Sequence, residues 1–226
     1  MFSPMAGTIA VEDPYDDEAE SEILVNQNVL ISTGSKPREL SFLPFDHDLV
    51  LSSDDMMELL DIPESIAIIG GGVIGLEFAS LLNDLGAEVT VLEAGVNILP
   101  NEDKDVSSAL KKSLTDKGVH FETEVSLDEN NVNVENGSVK FSLDDEMIFD
   151  KVLVAIGRSP NIDDIGITNT KIEMDNGFIK TNEHYQTKDA HIYAVGDCIG
   201  NLQLAHVASK EAVNAVMHMA AVSYTH

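Results

Sequence analysis

Apolar residues along this chain come in short runs with two different periods. "GTIAVE" alternates and predicts a strand, and "EILVNQNVLISTG" predicts one or two more. The segment "NVLIS" is continuously apolar up to Thr33-Gly34, which suits a buried strand meeting a turn. "KPRELSFLPFDHD" has two prolines and no helical period, so it reads as a surface connection. "SSDDMMELL" opens on Ser/Asp cap residues and closes before Pro63, which predicts a short helix.

A denser pattern follows. A strand at Ile66–Ile69, a glycine turn, a helix to about Leu85 and a strand at Glu88–Leu92 have the length of one βαβ crossover. "EDKDVSSALKKSLTDKG" predicts a second helix, acidic early and basic late, with Gly118 at its end. "VHFETEV" predicts a third strand. Residues 131–149 alternate on both sides of Asn136-Gly137, the signature of a hairpin. "KVLVAIG" predicts another buried strand, "GFIKTNEHYQT" and "HIYAVGD" further strands, and Leu204 to Ala221 a closing helix. Strands alternating with helices make the fold class α/β.

Composition narrows the picture. The 226 residues carry 40 acidic against 13 basic side chains, a formal net charge of −27. Such a field repels nucleic acid and anionic membranes, so neither is expected as a partner. Adaptation to salt or docking to a basic partner would use that charge, and a solvated surface explains it as well. The acidic stretch from Glu12 to Glu22 falls between two strands and reads as a polar hairpin loop. Glu77 interrupts the longest apolar candidate before it reaches a membrane span. The start "MFSPMAGTIAVEDP" lacks the pattern of a secretory signal, and a cytoplasmic location is the expectation. One cysteine, Cys198, excludes an intrachain disulfide.

Gly70, Gly72 and Gly75 stand in G-x-G-x-x-G spacing, with Val73 and Ile74 inside the motif. The first glycine permits a tight turn, the second lets a pyrophosphate approach the backbone, and the third lets the helix pack closely. Free N–H groups at the helix start then favour an anion. Glu93 follows 23 positions after Gly70, directly after "VTVL". A carboxylate there can take both adenosine ribose hydroxyls and repels a 2′-phosphate, and Ala94, Gly95 and Val96 bring no arginine. NAD is therefore preferred to NADP. On the motif alone FAD is a rival occupant, and an incidental glycine turn with a surface Glu is the bland alternative.

Beside "ISTGSKP", "VLVAIGRSPN", "IYAVGDC" and "LQLAHVASKEA", this order of motifs resembles the flavoprotein pyridine nucleotide-disulfide oxidoreductase family over nearly the whole chain. Softer similarity points to its dihydrolipoamide-oxidising branch. The resemblance implies a Rossmann-like NAD-binding domain at residues 62–160, with a parallel sheet and an antiparallel meander. This domain is inserted in an incomplete FAD-binding domain formed by residues 1–40 and 161–226, and residues 41–61 are a connection. By resemblance Gly70, Gly72, Gly75 and Glu93 fall on the NAD site, Val125 beside the adenine and Gly157 at the nicotinamide end. Glu77 matches a residue that pairs with a lysine near the redox disulfide, and a favourable helix N-terminus explains it equally. For flavin the resemblance implies Thr33, Gly34 and Ser35 as a turn touching the cofactor and Asp197 as a ribitol partner. The segment Gln203, Leu204, Ala205 and His206 would approach the flavin ring.

The family also carries a first FAD glycine motif, a redox Cys-x4-Cys pair and a C-terminal His–Glu base, and none of these is found here. The expectation is an internal segment with no catalytic residue of its own, in which FAD is not retained. The parent is expected to be a homodimer within 2-oxo acid dehydrogenase complexes. A stand-alone dinucleotide-binding module, or a piece of another disulfide reductase, is the alternative. Cys198 lacks a partner for redox chemistry, and His184, His191 and His218 lack metal-ligand spacing, so no metal is expected.

Overall fold

The computed structural model describes residues 8–11 and 22–221; the acidic stretch expected to form a hairpin loop falls at 12–21, and it, the first seven residues and the last five lie outside the described residues. The chain divides into two compact units, residues 37–158 and residues 1–36 with 159–226. Strands β1 (Thr8–Val11), β2 (Glu22–Val25), β3 (Val29–Ile31) and β4 (Ser35–Pro37) come first. Next are β5 (Val50–Leu51), β6 (Ser65–Ile69), helix α1 (Val73–Asp84), β7 (Glu88–Leu92), α2 (Lys104–Lys117) and β8 (His120–Glu122). Then come β9 (Val132–Glu135), β10 (Ser138–Ser142), β11 (Glu146–Phe149) and β12 (Lys151–Val154). The chain closes with β13 (Arg158–Pro160), β14 (Met174–Asp175), β15 (Phe178–Ile179), β16 (Ile192–Ala194) and α3 (Ala205–Met219).

In the unit of residues 37–158, five parallel strands lie in the order β5-β12-β6-β7-β8. Ile66, Ile68, Val89, Val91 and Leu153 pack with Leu76, Ala79 and Leu82 of α1 and Leu114 of α2. Ala67, Ile69, Leu92, Val152 and Val154 pack with Val139, Phe141 and Phe149 of the antiparallel meander β9-β10-β11. One face of the sheet therefore meets helices and the other meets the meander. Burial on both faces is why "IAII" and "VLV" read as unbroken apolar runs. Each fully buried side chain such as Ile68 or Phe141 contributes about 1.5–3 kcal/mol.

Local chemistry sets the ends of these elements. Gly118 closes α2 with φ +111°, and Val119 N–H donates to Leu114 O. Asn136 and Gly137 take φ values of +53° and +79°, the turn that joins a tight hairpin, and they link β9 to β10. The segment "SSDDMMELL" makes only one 3-10 turn, Asp55–Met57, inside a ring of Ser52–Asp55 hydrogen bonds. A longer helix there would gain little, because Met57 and Leu60 are exposed and nucleating a helix is costly. Residues 41–61 lie within this unit, where Val50–Leu51 forms an edge strand beside β12 and Leu43 is buried.

In the other unit, β3 pairs in parallel with β16. The antiparallel pairs β1-β2 and β14-β15 and helix α3 belong to it as well. Beyond β15 the strand expected over 177–187 gives way to a turn. There Asn182 Oδ1 accepts from the N–H groups of His184 and Gln186, and Tyr185 takes φ +63°.

Candidate functional site

The glycine turn joins β6 to α1. Gly70 takes φ +112°, and a Cβ on it would lie 2.5 Å from Ala155 O at the end of β12. A Cβ on Gly75 would lie 2.2 Å from Gly70 O, so the third glycine is what lets α1 close onto the turn. A Cβ on Gly72 would meet nothing within 4 Å. That open space lies at the start of α1, where no side chain caps the helix. The amides of Val73, Ile74 and Gly75 in that first turn have no intrahelical acceptor, so the turn has room and donors for a pyrophosphate. Glu77 lies exposed one turn further along.

Glu93 extends from the end of β7 toward this turn. Its Oε2 accepts from Gly71 N–H at 2.6 Å and its Oε1 from Gly95 N–H at 2.6 Å. Each carboxylate oxygen keeps a second lone pair, so the group can still accept from a pair of vicinal hydroxyls. Val125 N–H donates to Glu93 O, which sets Val125 beside the carboxylate's own backbone. Gly157 takes φ +112° at the end of β12, with nothing within 4 Å of its Cβ position. The structure thus brings Gly70, Gly72, Gly75, Glu93, Val125 and Gly157 to the C-terminal edge of one parallel sheet, where open α/β sheets bind ligands.

Gly71 matters as well, although it occupies a variable position of the G-x-G-x-x-G spacing. A Cβ there would fall 2.9 Å from Ile98 Cγ2 and 3.0 Å from Glu93 Oε2. Its carbonyl accepts from Leu99 N–H, and Ser107 Oγ of α2 holds Ile98 O at 2.7 Å. The run of three glycines was the available signal in the sequence. A cleft of about 400 Å³ also opens in this unit, lined by residues 122–126, Asn131, residues 142–145 and Met147. It includes Val125 and neither Glu93 nor the glycines.

The other unit holds the residues expected to meet flavin. Gly34 takes φ +68°, and Ser35 Oγ donates to Asp197 Oδ2 at 2.6 Å. Gln203, Leu204, Ala205 and His206 are exposed at the start of α3. Glu211, almost fully buried on α3, accepts from Gly196 N–H at 2.7 Å and so holds the "VGD" turn. Sequence reasoning missed it, because a Glu in a helix carries no sign that it is buried. Thr33 hydrogen-bonds Cys198, whose thiol burial pushes upward in pKa against the bonds from Thr33 and Val195. His184 stacks on His218 at 4.3 Å, and His191 Nδ1 meets Gln27 O. Among the described residues no group of three His, Cys, Asp or Glu could hold a metal, and no helix is long and apolar enough to cross a membrane.

Residues 5–212 match the family model for pyridine nucleotide-disulphide oxidoreductases. The chain belongs to this family. A dihydrolipoyl dehydrogenase of Bacillus subtilis is 45% identical over 99% of this chain, and a second protein of that name from the same organism is 38% identical over 90%. The crystal structure of LpdA from Mycobacterium tuberculosis superposes with a TM-score of 0.84 at 27% identity, covering 92% of this chain and 46% of that one. The chain spans about half the length of the curated relatives, 48% and 44% of the two Bacillus proteins. Members of this family are flavoproteins that use a nicotinamide dinucleotide, and the fold is the mixed α/β arrangement of such enzymes.

Proposed function

We propose that this chain is the NAD-binding portion of a dihydrolipoyl dehydrogenase. The parent enzyme oxidises dihydrolipoamide through a disulfide and FAD and reduces NAD. In this reading Gly70, Gly72 and Gly75, with the amides of Val73 and Ile74, receive the pyrophosphate. Glu93 takes the adenosine ribose, Val125 flanks the adenine, and Gly157 leaves room at the nicotinamide end. Bound NAD supplies the hydride acceptor, and the chain's own task is to place it and to exclude a 2′-phosphate.

The observation that carries the reading is the two-pronged grip of Gly71 and Gly95 on the Glu93 carboxylate. It fixes a bidentate hydroxyl acceptor at the end of β7, beside the glycine turn. Thr33, Gly34, Ser35, Asp197 and the 203–206 segment are assigned to FAD in the parent, a homodimer of 2-oxo acid dehydrogenase complexes. The chain alone is inactive in this reading, since dithiol–disulfide exchange needs two cysteines and the sequence has one. Titration of the purified chain with NADH and NADPH, followed by fluorescence, tests the assignment. NADH should bind more tightly than NADPH, and Glu93→Ala should erase the difference. Equal affinity of both nucleotides for the unaltered chain would refute it.

A further inference from the structure

Ser107, in the first turn of α2, is almost fully buried, yet its hydroxyl does not serve its own helix. A helical serine can bond back to the carbonyl four residues earlier. Here Asp103 O takes the Ser107 N–H, and the hydroxyl reaches out to Ile98 O, nine residues away, at 2.7 Å.

That bond secures one side of the peptide unit between Ile98 and Leu99. The C=O of this unit accepts from Ser107, and its N–H donates to Gly71 O at 2.8 Å. Leu99 takes φ +49°, which is uncommon for a residue with a side chain, so local preference does not keep the peptide in place. Ile98 is fully buried, and its Cγ2 lies 2.9 Å from where a Cβ of Gly71 would stand. Both backbone groups of Gly71 are engaged: its C=O by Leu99 and its N–H by Glu93 Oε2. One hydrogen-bonded path therefore runs from the α2 hydroxyl to the acid at the end of β7.

We propose that Ser107 is a positioning residue for nucleotide choice, fixing Glu93 through the 98–99 peptide and Gly71 so that NADH is preferred to NADPH. The inference rests on the assignment of Glu93 to the adenosine ribose. Without the hydroxyl, Ile98 O is a buried acceptor with no donor, and the peptide turns to regain one. Leu99 then releases Gly71, and Glu93 keeps only the Gly95 N–H to hold it. A carboxylate free to swing holds two vicinal hydroxyls less well and repels a 2′-phosphate from a greater distance. Pyrophosphate binding at the glycine turn is common to both nucleotides and cancels from their ratio.

The test titrates the full 226-residue chain with NADH and with NADPH, followed by fluorescence. Ser107→Ala should cut the preference for NADH by about fivefold, the scale of one net hydrogen bond. In a Glu93→Ala background the same substitution should leave the ratio unchanged within about twofold, because Ser107 acts through the acid. A merely structural role would alter both affinities in either background. A Ser107→Ala chain that keeps the full preference, or a ratio that changes equally in the Glu93→Ala background, would overturn the proposal. Should Ser107→Ala fail to fold, Ser107→Cys, close in size and a weaker donor, makes the same comparison and should narrow the ratio. The two readings fail separately. A preference that survives Glu93→Ala sinks the ribose assignment and this inference with it. A preference lost in Glu93→Ala but intact in Ser107→Ala sinks the positioning role alone.

Discussion

Glu93 Oε2 and the backbone N–H of Gly71 are 2.6 Å apart, and this contact ties the acid at the end of β7 to the glycine turn after β6. A side chain at position 71 would press on both the carboxylate and Ile98. Gly71→Ala should therefore weaken NADH binding by about tenfold, a change of about 1.4 kcal/mol, through displacement of Glu93. Fluorescence titration checks this, and undiminished affinity would show that the contact does not position the acid.

Packing of α1 on the turn depends on Gly75. A methyl group there would lie 2.2 Å from Gly70 O, so the helix must shift to admit one. Gly75→Ala should destabilise the unit of residues 37–158 by about 1–3 kcal/mol. Chemical denaturation followed by circular dichroism measures it.

Asp55 gives this unit an acid-sensitive clasp. Burial raises its pKa, but bonds from the Ser52 hydroxyl and N–H, and then His47, outweigh burial and leave it below the usual carboxylate range. A depressed folded-state pKa means stability that is present above the unfolded value and lost as pH falls through the folded one. Asp55→Ala should cost about 1 kcal/mol near neutrality. The gap to the unsubstituted protein should close in acid, which melting curves across the acid range would reveal; a gap independent of pH would contradict the clasp.

Cys198 is fully buried, and burial raises the pKa of its thiol above the ordinary value. The neutral thiol is a poor nucleophile. A thiol-specific reagent should leave the native chain unlabelled and modify one group per chain after denaturation. Rapid native labelling would place Cys198 at the surface.

Local chemistry made much of this protein legible from its sequence. The glycine spacing, the acid after "VTVL", the Gly118 cap and the Asn136-Gly137 hairpin each depend on a few neighbouring residues. Backbone sterics and hydrophobic period act at that range, so a βαβ unit and its dinucleotide motif could be read directly. Tertiary structure decided what rests on residues far apart in the chain. Val50–Leu51 becomes a sheet edge only because β12 lies beside it, and Gly71 matters only because Glu93 and Ile98 crowd its missing side chain. Glu211 can be buried on α3 because the fold brings the N–H of Gly196, 15 residues away in the chain, within 2.7 Å of its carboxylate. Such pairings depend on which distant backbone groups the folded chain brings within hydrogen-bonding reach, and no local pattern encodes them.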